Sequence, residues 1–277
     1  MVLEEYQKAY RMGKKDYQAR MSRGEIPTLP VLDEILPKGN YSEVPLGLVQ
    51  IPIDQIVGTK SGGRSGAFAG NFMPVLKMDT EFAFKWNSLS LIHLNEGIRD
   101  PIKAYEYMNK FYVQEGNKRV SVLKFYGAVS IPGYVTRILP PKTEEKENKI
   151  YYEFVDFYAL SQINYIWFSS LGSFAKLQTA VGKKSDEIWT DEDRLMFSST
   201  YFRFTCEYEA LGGKKLSITT GDAFLAFLII YDYNEICNIT VNELKTLVQK
   251  SWEEFELLDH GHRVELKMTP NQEKHLY

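Results

Sequence analysis

Hydrophobic and polar positions along this 277-residue chain change their spacing from stretch to stretch, and each change marks an element. Over residues 2–23, Tyr6, Ala9, Tyr10, Gly13, Tyr17 and Met21 recur at helical spacing among charged residues, which predicts an amphipathic helix. Pro27, Pro30, Pro37 and Pro45 then interrupt any regular element. Val31, Leu32, Ile35 and Leu36 lie within that stretch and need burial, so it reads as an arm laid across a domain rather than a disordered linker. "LVQIPIDQIVGT" (48–59) predicts a short strand and turn, "KSGGRSGAFAGNFMP" (60–74) a glycine-rich loop, and "DTEFAFKWNSLSLIHL" (79–94) a helix. "GIRDPIKAYEYMNKFYVQEG" (97–116) reads as two short strands around a hairpin turn at "MNK". "KRVSVLKFYG" is a helix stopped by Gly127, and "AVSIPGYVTRIL" (128–139) one more strand.

"PPKTEEKENK" (140–149) is the clearest boundary, two prolines and a charge run expected to form a solvated loop. Beyond it, "IYYEFVDFYALSQINYIWF" suits a helix followed by a strand, although its periodicity does not decide. "SFAKLQTAVG" suits a helix ended by Gly182. Three helices are expected at the end: Asp191 to Leu211, Gly221 to Tyr233 behind Thr219 and Thr220, and Val241 to Leu258 behind Thr240. The fold class read from this order is α+β: a small mixed sheet with helices, then a mainly helical region. The domain reading is an N-terminal helix and proline-rich arm (1–47), a sheet domain (48–139), a helical domain (150–260) and a tail (261–277).

Composition, 44% hydrophobic and 25% charged, is that of a soluble globular chain with a sizeable core. The 18 Tyr, 16 Phe and 4 Trp are expected to fill that core, because such side chains dominate buried area. Cys206 and Cys237 have no ligand spacing and read as two buried thiols in a reducing compartment. The N-terminus lacks the apolar core of a signal peptide, and the longest apolar run, "AFLAFLIIY" (223–231), is too short to span a bilayer. A cytoplasmic location without membrane association is therefore expected.

Charge narrows the partners. The net charge is −3, so a nucleic-acid role would need a local basic patch. From Thr219 to His260, eight acidic residues face two lysines, a net of −6. That surface repels phosphates and is expected to pack on the first domain, on a protein partner or on a second copy of the chain. "DHGHR" places Asp259, His260 and His262 together, and alternate residues share a side on an extended chain; a metal site would need a third or fourth ligand from elsewhere, so the stretch reads as a solvated tail and no metal site is expected.

The candidate chemistry sits in Gly116-Asn117-Lys118-Arg119. A glycine at a strand end lets a phosphate approach the backbone, and the helix that follows offers unpaired N–H groups and the positive end of its dipole. Lys118 adds a point charge and Arg119 a planar fork suited to phosphate oxygens, while Asn117 can cap the helix or contact a ligand. The same four residues also suit an ordinary turn with a solvated basic pair. Glu115, just ahead, is the candidate acid or base, or a holder of a nucleotide-bound metal, and equally suits a solvated strand end; Arg64 and Lys60 sit in a glycine-rich loop that suits either a flexible surface loop or amides wrapping an anion.

The stretch from Gly97 through Pro101-Ile102, Tyr112, Gly116, Arg119 and Gly127 to Ile131-Pro132 resembles the N-terminal domain of the ParB/sulfiredoxin-like superfamily, over about residues 48–139. That family includes bacterial partition proteins that bind CTP and DNA, sulfiredoxins that use ATP, a free-serine kinase and nucleases. The resemblance implies that Gly116, Asn117, Lys118 and Arg119 form a phosphate-binding turn, with Arg64, Arg99, Asp100 and Pro101 lining the same cleft. It also implies a nucleoside triphosphate, CTP or ATP with Mg²⁺, as ligand. The sulfiredoxin nucleophile is missing, since neither cysteine lies near the turn, and the partition proteins' second phosphate motif and recognition helix are not found. Three functions follow: a regulatory module binding a nucleotide or a nucleic-acid backbone; a phosphate-transferring or phosphodiester-cleaving enzyme; or an interaction scaffold with a vestigial site.

Overall fold

The computed structural model describes residues 2–37 and 41–268. The chain is a mixed α+β protein that divides into two compact units, Met1–Pro141 and Lys142–Tyr277.

Unit 1 is built on a five-stranded mixed sheet of order β1-β5-β3-β4-β2. Its strands are β1 (Ser42–Pro52), β2 (Ile56–Thr59), β3 (Ile102–Tyr107), β4 (Lys110–Glu115) and β5 (Ser130–Leu139), and its helices are α1 (Val2–Ser22), the single turn α2 (Leu32–Ile35), α3 (Glu81–Glu96) and α4 (Asn117–Phe125). The hairpin expected at "MNK" forms: β3 and β4 pair antiparallel from Lys103↔Glu115 to Tyr107↔Lys110. Its two central residues, Met108 (φ 51°) and Asn109 (φ 56°), both adopt the left-handed conformation of a type I′ turn. Neither is glycine, and the turn is held by the Glu106 carboxylate, which accepts from Asn109 N at 2.6 Å. α4 ends as its glycine predicted, in a Schellman motif: Gly127 N donates to Lys124 O at 3.2 Å and Ala128 N to Leu123 O at 2.9 Å.

The main core lies between one sheet face and α4, with Ile51, Ile102, Val113, Val120, Leu123 and Val135 packed against Phe68 and Phe72 of the glycine-rich segment. A second cluster joins Tyr6 and Ala9 of α1 to Ala83 and Trp86 of α3 and Val122 of α4. The Trp86 indole donates to Ser121 Oγ at 2.9 Å, fixing α3 on α4.

The N-terminal helix and proline-rich segment fall in the same compact unit as the sheet. The proposed boundary at 47/48 falls inside β1, which runs through Pro45 with a bulge between Pro45 and Gly47. A proline is tolerated there because β1 is an edge strand, paired with a neighbour on one side only. The preceding segment covers the opposite edge: Thr59 N donates to Pro30 O at 2.9 Å and Asp33 N to Lys60 O at 3.1 Å. Of its apolar residues Val31 and Leu32 are buried, whereas Ile35 stays exposed.

Unit 2 is helical: α5 (Lys146–Ser161), α6 (Ser173–Ala180), α7 (Asp191–Ala210), α8 (Thr220–Ile230), α9 (Tyr233–Asn238), α10 (Val241–Lys250) and α11 (Trp252–Met268). Thr190, Thr219 and Thr240 each form a reciprocal capping box with the acidic residue three positions on. The aromatic residues do fill the interior, with Phe154, Phe157, Phe174, Phe197, Phe204 and Phe224 all buried.

Several sequence expectations for this half are corrected. The charged run 140–149 is not all loop, because α5 begins at Lys146, ahead of its first apolar residue. Gln162 ends α5 in a left-handed conformation (φ 56°), and the segment after it is loop rather than strand. The stretch 241–258 is two helices broken at buried Ser251, and 221–233 is interrupted where Asp232 caps α9. The supposed tail from 261 is helical to Met268, with 269–277 outside the described residues. Asp259 is not solvated: it is buried, and its carboxylate accepts from Ser217 N and Oγ. Cys206 is exposed and Cys237 half-buried, so the pair is not two buried thiols; both are free. Among the described residues no helix is long and apolar enough to cross a membrane.

Candidate functional site

The candidate turn lies where β4 hands over to α4. Gly116 occupies the cap position in a left-handed conformation (φ 110°), and a Cβ there would stand 2.5 Å from Ile102 Cγ2. Both the dihedral and the space demand glycine. The sequence expectation that Asn117 caps α4 is not met: Gly116 is the cap, and Asn117 is the first helical residue. Having no side chain, Gly116 leaves the first-turn N–H groups of α4 without the usual capping oxygen.

Asn117 turns inward instead. It is 5% exposed, and its Nδ2 donates to Thr59 Oγ1 at 3.4 Å, while Thr59 Oγ1 donates to Val113 O at 3.0 Å. The Asn117 Oδ1 is buried with no hydrogen-bond partner among the described residues. An unsatisfied buried acceptor costs free energy unless a donor reaches it.

Arg119 does something other than offer its fork to solvent. Its Nη1 donates to Asp100 O at 2.9 Å and to Pro101 O at 2.7 Å. Its Nη2 lies 3.9 Å from Glu115 Oε1, and Glu115 Oε2 lies 3.3 Å from Lys103 Nζ. Gly116, Arg119, Glu115, Asp100 and Pro101 are thus brought together, with Arg119 bracing the turn that leads into β3. Arg99 is exposed on that same turn.

Lys118 faces a different neighbourhood. Its Nζ stands 4.9 Å from the Phe82 ring centroid, over a residue in the first turn of α3. Partial burial lowers its pKa below the ordinary lysine value; repulsion from Arg64 and Lys85 lowers it further, and Glu81 offsets part of the shift. Arg64 lies on a short 3-10 turn, Gly62–Ala67, into which the glycine-rich loop folds. Lys60 is not part of this group: it pairs with Asp33 and lies 5.1 Å from the Tyr105 ring centroid.

The structure therefore sorts the predicted residues into two sets. Glu115, Gly116, Arg119, Asp100 and Pro101 form a braced turn. Lys118 stands over Phe82 and feels the charges of Arg64, Lys85 and Glu81; of these neighbours sequence reasoning missed Phe82, Lys85 and Glu81. Lys85 is four residues after Glu81 on the exposed side of a helix, and nothing in that spacing announces a neighbour 33 residues away in α4. Among the described residues no three His, Cys, Asp or Glu side chains gather as a metal site. No protein-family model matches the chain, and no curated protein matches it.

Proposed function

We propose that unit 1 binds a phosphorylated small molecule, a nucleotide being the leading case, at the start of α4, and acts as a binding module rather than a catalyst. The observation that carries this reading is the position of Lys118. A partly buried ammonium is held over Phe82 with Arg64 and Lys85 as like-charge neighbours, beside a helix start that has no capping side chain. Such a group repels itself when empty and is relieved by an anion. The orphaned Asn117 Oδ1 supports a ligand that also brings a donor, such as a sugar hydroxyl or a base amine, alongside its phosphates. The likeness of Gly97 to Pro132 to the ParB/sulfiredoxin-like pattern points the same way.

In this reading Lys118, Arg64 and Lys85 meet the phosphate charge, while Gly116 and the amides of α4 line its approach. Arg119 is a brace for the site. Glu115 has a cation facing each of its two oxygens, which suits an ion-pair role better than that of a free general base.

Thermal unfolding with a panel of nucleoside triphosphates and inorganic pyrophosphate tests the reading. A ligand present at 100 times its dissociation constant adds about 2.7 kcal/mol to the folded state. Lys118→Ala and Arg64→Ala are expected to abolish the shift while leaving the unliganded midpoint nearly unchanged. No shift with any of these compounds, or a shift indifferent to both substitutions, overturns the proposal.

A further inference from the structure

We infer that Glu81 is a built-in competitor for the anion site, a carboxylate that occupies the cationic group when the ligand is absent and yields when a multiply charged anion arrives. The inference rests on the proposed phosphate-binding reading and concerns how that site is regulated.

Glu81 is the first residue of α3, directly after the Thr80 cap, whose side chain accepts from Ala83 N. The adjacent residue, Phe82, supplies the ring beneath Lys118, and Lys85 follows one helical turn later. One turn of α3 thus presents the site with its aromatic floor, one of its cations and a carboxylate. The Glu81 Oε1 lies 2.5 Å from Lys85 Nζ. Its charge also acts on Lys118, against the repulsion of Arg64 and Lys85. Three cations and one carboxylate leave a local excess of two positive charges, which matches a dianionic phosphate or one end of a pyrophosphate chain.

The restraint on Glu81 is weak enough to be released. Its side chain is 80% exposed and that of Lys85 61%, so theirs is a solvent-screened i,i+4 pair. Two features hold the carboxylate there by default: the Lys85 partner and the positive end of the α3 dipole. An incoming phosphate with two charges outcompetes a single screened carboxylate for Lys85 and Lys118, and Glu81 turns to solvent without disturbing buried structure. The consequence is a threshold in ligand charge: singly charged anions gain little over Glu81, and doubly or triply charged ones gain more.

The test compares pyrophosphate binding by calorimetry for the wild-type chain, Glu81→Gln, Lys85→Gln and the double variant. Glu81→Gln is expected to bind pyrophosphate roughly three- to tenfold more tightly and with a steeper salt dependence, because one opposing charge is gone. Lys85→Gln is expected to weaken binding by a similar factor, and the double variant to return close to wild type. If wild type binds and Lys118→Ala does not, yet Glu81→Gln binds no more tightly, the competitor role is wrong while the site stands. If wild type binds no phosphate compound, the site itself falls and the inference with it.

Discussion

Glu106 on β3 and Arg137 on β5 are direct partners in the register of a parallel strand pair, and their side chains form an ion pair that is 0% and 4% exposed. The other Glu106 oxygen accepts from Asn109 N and so holds the left-handed turn between β3 and β4. Arg137→Met is expected to cost about 3–5 kcal/mol, because it leaves a carboxylate buried without its cation. Glu106→Leu combined with Arg137→Met is expected to lose less than Arg137→Met alone. Urea unfolding followed through Trp86, the sole tryptophan in residues 1–141, measures both. A double-variant loss equal to the sum of the Arg137→Met and Glu106→Leu losses measured separately would show that the pair is not energetically coupled.

Gly116→Ala is expected to destabilise unit 1 by about 1–3 kcal/mol, from backbone strain at φ 110° together with a clash on Ile102 Cγ2. Adding Ile102→Val shortens the obstructing side chain and should recover part of the loss, but not the strain. The unfolding midpoints of the two variants separate these contributions.

Lys124 lies with its Nζ 5.4 Å from the Phe72 ring centroid, and burial lowers its pKa despite the opposing charge of Asp54. A lowered folded-state value means that the unfolded chain holds its proton to higher pH, so wild-type stability rises as pH climbs from the folded value to the ordinary one. Lys124→Met keeps the apolar stem and removes the half-buried charge. It is expected to be more stable than wild type at pH 7, with the advantage shrinking as pH approaches 10. A variant less stable than wild type at pH 7 contradicts this.

Gly13→Ala pits helix propensity against packing. In an exposed helix interior the change would gain about 1 kcal/mol. Here the new Cβ would stand 2.3 Å from Pro74 O and 3.0 Å from Met73 O, where backbone cannot yield as a side chain would. Packing should win, and thermal unfolding is expected to show a lower midpoint.

Local chemistry made much of this chain readable. The threonine caps at 219 and 240, the Gly127 stop and the "MNK" turn are decided by bonds that span three to six residues, so spacing alone reveals them. Readings failed where a partner lay far away in sequence. Asp259 looked like part of a polar tail, yet Ser217 brings it two donors, and a carboxylate with donors is buried readily. Pro45 marked a break in the pattern, yet an edge strand accepts it.

The candidate site divides along the same line. The order Glu-Gly-Asn-Lys-Arg between an extended run and an amphipathic helix determined, by itself, a glycine turn with cations at a helix start, because strand, turn and helix are consecutive in the chain. Which cation stands free was decided only in three dimensions. Arg119 is engaged by the carbonyls of Asp100 and Pro101, and Asn117 by Thr59. Lys118 is set among Arg64, Lys85, Glu81 and Phe82 because the Trp86–Ser121 hydrogen bond and the shared core seat α3 against α4. Electrostatic neighbourhood depends on distance through space, and no period along the chain encodes the approach of two helices joined through a β-hairpin.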